Sequence, residues 1–149
     1  MGFNVPILLL SFNRPLLVTK QLKLLKELNA KSLYIFSDGP RKEVLSDHAK
    51  INACRKIFQE EISWECEKQF KFEKNNQGCG PGVSGAISWF FKNVNEGIII
   101  EDDIIAHKDF FEYCQNLLEK YRNDKRVWCI SGTNNQDEIL RGKGTYYFG

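Results

Sequence analysis

Residues 97–103 read Gly-Ile-Ile-Ile-Glu-Asp-Asp, an uninterrupted apolar run that ends abruptly on three adjacent carboxylates. Three consecutive isoleucines suit a strand covered on both faces, the signature of a parallel sheet. Glu101, Asp102 and Asp103 could be desolvated there only at a cost of several kcal/mol each unless paired or metal-bound. The run is therefore expected to deliver its acids to an exposed strand end. In extended backbone Glu101 and Asp103 point to one side and Asp102 to the other, so sequence neighbours can hold a divalent ion and a polar ligand. The simpler alternative is a strand followed by acids that favour the next helix start.

Working outward, strand and helix signals alternate. Residues 5–11 form an apolar run that ends in Phe12-Asn13-Arg14-Pro15, and Leu17, Leu24, Leu25 and Leu28 then recur at helical spacing. Residues 33–36 repeat the strand signal and end at Ser37-Asp38-Gly39-Pro40. Val44, Ile51, Cys54 and Phe58 follow on one face of a second helix. Trp64, Cys66, Phe70 and Phe72 alternate with polar residues and predict a strand with one buried face, bent or broken near residues 67–69. A turn-rich stretch, residues 75–80, leads to Pro81 as a helix opener, with Val83, Ala86, Ile87, Phe90 and Val94 on one side. After the acidic triplet, Phe110, Phe111, Cys114, Leu117, Leu118 and Tyr121 give the most regular helical stripe in the chain. Residues 127–131 predict a further strand, residues 134–144 a polar binding lid, and residues 145–148 a last strand. The expectation is an α/β domain with a mostly parallel sheet and helices on both faces.

The 149 residues suffice for a single domain spanning 1–149. With 42% hydrophobic residues, 11 phenylalanines and three tryptophans, a disordered chain is excluded, and Trp64, Trp89 and Trp128 are all assigned to the core. A net charge of +2 with interspersed signs argues against nucleic acid or an anionic membrane as partner. Five scattered cysteines form no CxxC pair, and neither a transmembrane segment nor a signal peptide is evident. These features predict free thiols and a cytoplasmic protein. Gly78 to Gly82 lacks the Lys-Ser/Thr ending of a P-loop and is read as turn geometry, with Cys79 an exposed thiol.

Three predicted strands thus end in polar groups, namely Asn13-Arg14, Asp38 and Glu101-Asp102-Asp103. In an open parallel sheet such ends converge on the ligand crevice. A cation for phosphate, a carboxylate that accepts an imide N–H, and a cluster for a hard cation are the parts that hold a nucleoside diphosphate.

The pattern resembles the nucleotide-diphospho-sugar transferases of the GT-A (Rossmann-like) fold, most visibly the N-acetylglucosaminyltransferase I group and its bacterial relatives. The resemblance is carried by Asn13-Arg14, Ser37-Asp38, Asn76-Gln77-Gly78 before a helix with Trp89, and Glu101-Asp102-Asp103. Asp109-Phe110-Phe111-Glu112-Tyr113 and Trp128-Cys129-Ile130-Ser131 extend it. It implies that Asp103 binds Mn²⁺ or Mg²⁺ bridging the donor's diphosphate, and that Glu101 and Asp102 contact ribose or sugar hydroxyls. It further implies that Asp38 holds a uracil-like base and Arg14 the nucleotide. A UDP-sugar donor and a hydroxyl acceptor follow as expected partners, with inversion of configuration. Such transferases continue past the last strand seen here, so the chain is expected to be the donor-binding half of a longer enzyme. No residue stands out as the general base; His107 is assigned to a helix start and His48 to a solvated face. A noncatalytic nucleotide or metal sensor is the alternative. A phosphotransfer receiver ranks last, because its acidic pair belongs on the first strand.

Overall fold

The computed structural model describes residues 2–132. Strands and helices alternate without exception: β1 Ile7–Ser11, α1 Pro15–Glu27, β2 Ser32–Ser37, α2 Leu45–Glu61, β3 Glu67–Phe72, α3 Cys79–Phe91, β4 Ile98–Glu101 and α4 Lys108–Tyr121. All strand pairs are parallel and the spatial order is β3-β2-β1-β4. This is the α/β arrangement with helices on both faces that the strand–helix alternation predicts.

Period-two alternation assigns the two faces. Ile7, Leu9, Leu33, Ile35, Ile98 and Ile100 point to one side and pack with Val18, Leu22 and Leu25 of α1, Cys54 and Phe58 of α2, and Phe111 and Cys114 of α4. Leu8, Leu10, Tyr34 and Phe36 point to the other side, where Ala86 and Phe90 of α3 meet them. The Tyr34 and Phe90 rings lie 5.0 Å apart in an edge-to-face arrangement. Among the described residues only α3 covers that second face, as right-handed crossovers require when the chain returns from β3 to pair β4 beside β1. The strand order therefore reverses between β1 and β4. Every residue of β1 is buried, as expected of a central strand.

Three expectations are corrected. First, β3 is neither bent nor broken near residues 67–69. It runs continuously as the outer strand beside β2 with its first four residues exposed, and Trp64 and Cys66 precede it. An outer strand needs a partner along one edge only, so polar alternation suffices. Second, residues 127–131 form no strand. Residues 127–130 instead line a groove beside α4 and β4 with Leu117, Leu118 and Tyr121. Third, Trp128 is 92% exposed rather than core, its indole N–H donating to the Lys125 carbonyl. Backbone pairing, which composition does not encode, is what a β-rich segment needs to become a strand. Trp64 and Trp89 are half-buried and pack against the two cores. The expected lid and last strand, residues 134–144 and 145–148, lie outside the described residues.

All five cysteines are free. Among the described residues no helix is long and apolar enough to cross a membrane.

Candidate functional site

The strand order reverses between β1 and β4, and a crevice opens at the carboxyl end of the sheet beside this point. Here it holds about 330 Å³ and is lined by Phe12, Arg14, Asp38, Arg41, Asn76, Gly78, Cys79 and the three acids Glu101, Asp102 and Asp103, with apolar walls from Leu10, Phe36 and Val83. All six side chains singled out from the sequence lie at this end of the sheet, and five of them line the crevice; Asn13 stands just behind it.

The β1–β4 rim is locked by Asp102. Register sets Leu10 opposite Glu101, so the residues that follow both strands meet. Asp102 is 2% exposed; its Oδ2 accepts the Phe12 N–H at 2.9 Å and its Oδ1 accepts from Arg14 Nη1 at 2.7 Å. Pro15 disfavours helical backbone at Arg14, which sits outside the helical region at φ −121° and ψ 71°, and its side chain crosses to Asp102 after β4. Arg14 Nη1 also lies 3.3 Å from Asp103 Oδ2. Hydrogen bonding to Asp102, reinforced by charge from Asp103 and Glu101, raises the Arg14 pKa above its ordinary value, so it stays a cation. Glu101 and Asp103 are exposed while Asp102 is buried; the strand ends at Glu101, and Asp102 and Asp103 lie in the turn that follows, so turn geometry rather than extended backbone sets this alternation. On α1 the buried amide of Gln21 donates to the Glu101 and Ile104 carbonyls and pins the turn beneath the acids.

The β2 rim is organised by Asp38. Its Oδ1 accepts from the backbone N–H groups of Gly39 and Gln77, both at 2.8 Å, and its Oδ2 from Asn76 Nδ2 at 2.9 Å and Gly78 N–H at 3.2 Å. One carboxylate therefore draws the loop before α3 against the end of β2. Gly39 allows this approach, since a Cβ there would collide with the Asn75 backbone. Gly78, at φ 78°, occupies backbone that favours glycine and opens α3. Behind the rim Arg55 donates to the carbonyls of Ser37, Asp38 and Glu73 at 3.1, 3.1 and 2.6 Å, and burial lowers its pKa.

Sequence reading missed Asp47 and the arginine it holds. Asp47 is fully buried, and its oxygens accept from Asn13 Nδ2 at 2.8 Å and from Arg41 Nε and Nη2 at 2.7 and 3.0 Å. Those donors hold its carboxyl well below the usual range. Its signal was present: Asp47 falls in the same helical stripe as Ile51, Cys54 and Phe58, a carboxylate where an apolar residue belongs. His107 caps α4 as expected, its ring accepting the Asp109 N–H at 3.4 Å, and His48 is exposed.

Among the described residues no group of three or more His, Cys, Asp or Glu side chains is disposed to hold a metal ion. Asp103, 41% exposed, and the neighbouring Glu101 supply hard oxygen ligands but not a complete shell. Comparison with protein-family profiles, with curated proteins and with solved structures finds no significant match.

Proposed function

We propose that the crevice binds a nucleoside diphosphate with a divalent cation, and that the protein serves glycosyl transfer from a nucleotide-diphospho-sugar, a UDP-sugar by resemblance, to a hydroxyl acceptor. One observation carries this reading: Arg14, Asp38, Glu101 and Asp103, from three strand ends far apart in sequence, line one crevice at the point where strand order reverses.

The exposed acids divide the labour with the buried ones. Asp103 and Glu101 line the crevice; Asp103 would hold Mn²⁺ or Mg²⁺, and Glu101 beside it would contact ribose or sugar hydroxyls. With so few protein oxygens at hand, such an ion would depend on the ligand's own oxygens and water, the usual mode for Mg²⁺ at phosphates. When bound, the ion offsets charge that develops on the departing nucleoside diphosphate. Asp102 orients Arg14 and fixes the β1–β4 gap, and its buried carboxylate supports the ligand indirectly. Asp38 shapes the base end of the crevice through the loop it gathers; contact with a base would exchange one of its present donors. Asn13 acts from behind, through Asp47.

Calorimetric titration of UDP into the protein with and without Mn²⁺ tests the reading. Binding that requires the ion, and loses that requirement in Asp103→Ala, is the expected outcome. Absence of heat with the wild type in either condition contradicts it. Assay of a sugar-donor panel against water and simple hydroxyl acceptors then separates transferase from sensor, since tight binding without turnover identifies the latter.

A further inference from the structure

Among the described residues two arginines line the crevice, and they differ in where their counter-ions lie. Arg14 faces its counter-ions inside the crevice, at 2.7 Å from Asp102 and 3.3 Å from Asp103. Arg41 has its counter-ion elsewhere: Asp47 is 0% exposed and does not line the crevice. The Asp47 carboxylate is saturated by four donors, Arg41 Nε at 2.7 Å, Arg41 Nη2 at 3.0 Å, the Arg41 backbone N–H at 3.3 Å and Asn13 Nδ2 at 2.8 Å. It has no capacity left for a ligand, so its work is positional. Of the five guanidinium N–H groups, the Asp47 contacts use one on Nε and one on Nη2. The remainder belong to a side chain that is 51% exposed, stands 5.3 Å from the Phe12 ring centroid and borders the crevice.

A long exposed side chain is ordinarily left mobile, because fixing it costs rotamer entropy. Here a buried carboxylate, an asparagine from the end of β1 and a backbone N–H combine to fix one. Such preorganisation lowers the entropic cost of binding a ligand that the remaining donors recognise. Their fork geometry and weak hydration match phosphate oxygens. The electrostatics agree, since Glu101 and Asp103 repel a diphosphate and Arg14, which also keeps unused N–H groups, shares its charge with two acids that line the crevice, whereas the counter-ion of Arg41 lies outside it.

We infer that Arg41 is a phosphate-binding residue of the crevice, held in place by Asp47 as its positioning residue. The inference rests on the reading of the crevice as a diphosphate site and names the side chain that takes the anion.

The test uses the whole chain with Mg²⁺ present. UDP and inorganic pyrophosphate are titrated by calorimetry, and uridine by ligand-observed NMR, into the wild type, Arg41→Gln, Arg41→Lys, Asp47→Asn and the Arg41→Gln/Asp47→Asn double variant. Arg41→Gln is expected to weaken UDP and pyrophosphate about tenfold or more and uridine less than about twofold. Arg41→Lys keeps the charge without the fork and falls between. Asp47→Asn weakens UDP alone but adds nothing to Arg41→Gln, the non-additivity of a residue that acts through another. Wild-type affinity for UDP and pyrophosphate in Arg41→Gln overturns the inference, as does an equal proportional loss of UDP and uridine. If wild type binds UDP with Mg²⁺ and Arg41→Gln binds it equally, only this inference fails. Conversely, pyrophosphate binding lost in Arg41→Gln, with no gain from the uridine moiety, leaves Arg41 standing and removes the nucleotide reading. Binding of neither ligand by wild type removes both.

Discussion

The two rims of the crevice are both built on carboxylates but use them in opposite ways. On the β2 side Asp38 and Asp47 are buried and their oxygens are filled by protein donors. What that rim presents outward is an arginine. On the β4 side only Asp102 is consumed, and Glu101 and Asp103 remain at the surface with Arg14 between the strand ends. One rim has turned acids into scaffolding that exposes a cation; the other keeps two of its acids exposed. A carboxylate's burial and donor count, rather than its presence, therefore separates framework from ligand group.

The strongest way to break this comparison is Asp38→Ala. It strands the N–H groups of Gly39, Gln77 and Gly78 and releases the loop before α3, so a melting-temperature loss of about 10 °C is expected. Gly39→Ala should act in the same direction by forcing the loop away from the Asn75 backbone. Melting temperatures near that of wild type in both would mean that Asp38 does not organise the rim.

Asp102→Asn is expected to be milder, about 5 °C by thermal melt, because the amide oxygen can still accept the Phe12 N–H while the charge facing Arg14 is lost. UDP affinity should fall with it as Arg14 loses its anchor. Unchanged affinity would detach the β1–β4 lock from binding.

Asp47 gives a pH signature. Its donors depress the folded-state pKa, so the stability it contributes is present above the unfolded carboxylate value and is lost as pH falls toward the folded one. The melting-temperature gap between wild type and Asp47→Asn should therefore narrow from about pH 6 to about pH 3. A gap that widens on acidification would show that the carboxylate is not held charged.

The smallest effect on stability belongs to Asp103→Ala. Its ion pair with Arg14 is partly exposed on both sides, and such pairs contribute little, so the melting temperature should move by less than about 2 °C. A larger loss would place Asp103 among the scaffolding acids.

Much of this layout was legible in the chain because it depends on local pattern. The apolar runs of β1 and β2 sit on strands buried from both sides, that of β4 is buried on the α1 face and half-buried on the other, and the stripe at Phe111, Cys114 and Leu117 faces the core as its spacing dictates. The polar strand ends at Arg14, Asp38 and Glu101 to Asp103 followed from where those runs stop. What stayed hidden depends on partners distant in sequence. Residues 127–131 have strand composition but no paired edge. Trp128 is large and apolar yet exposed. The burial of Asp38 and Asp102 rests on donors 39 and 90 residues away. Asp47 shows as an acid in an apolar stripe, but that it would grip Arg41 and Asn13 emerges only when α2 packs beside the end of β1.

The central claim is that the β1–β4 crevice takes a diphosphate between an exposed acidic rim and a fixed arginine. A crystal structure of the protein soaked with UDP and Mn²⁺ tests it most directly. The account predicts a metal peak within coordinating distance of Asp103, with phosphate density reaching toward Arg41. Ordered ligand in the groove beside the outer edge of β4, with the crevice unchanged, would contradict it.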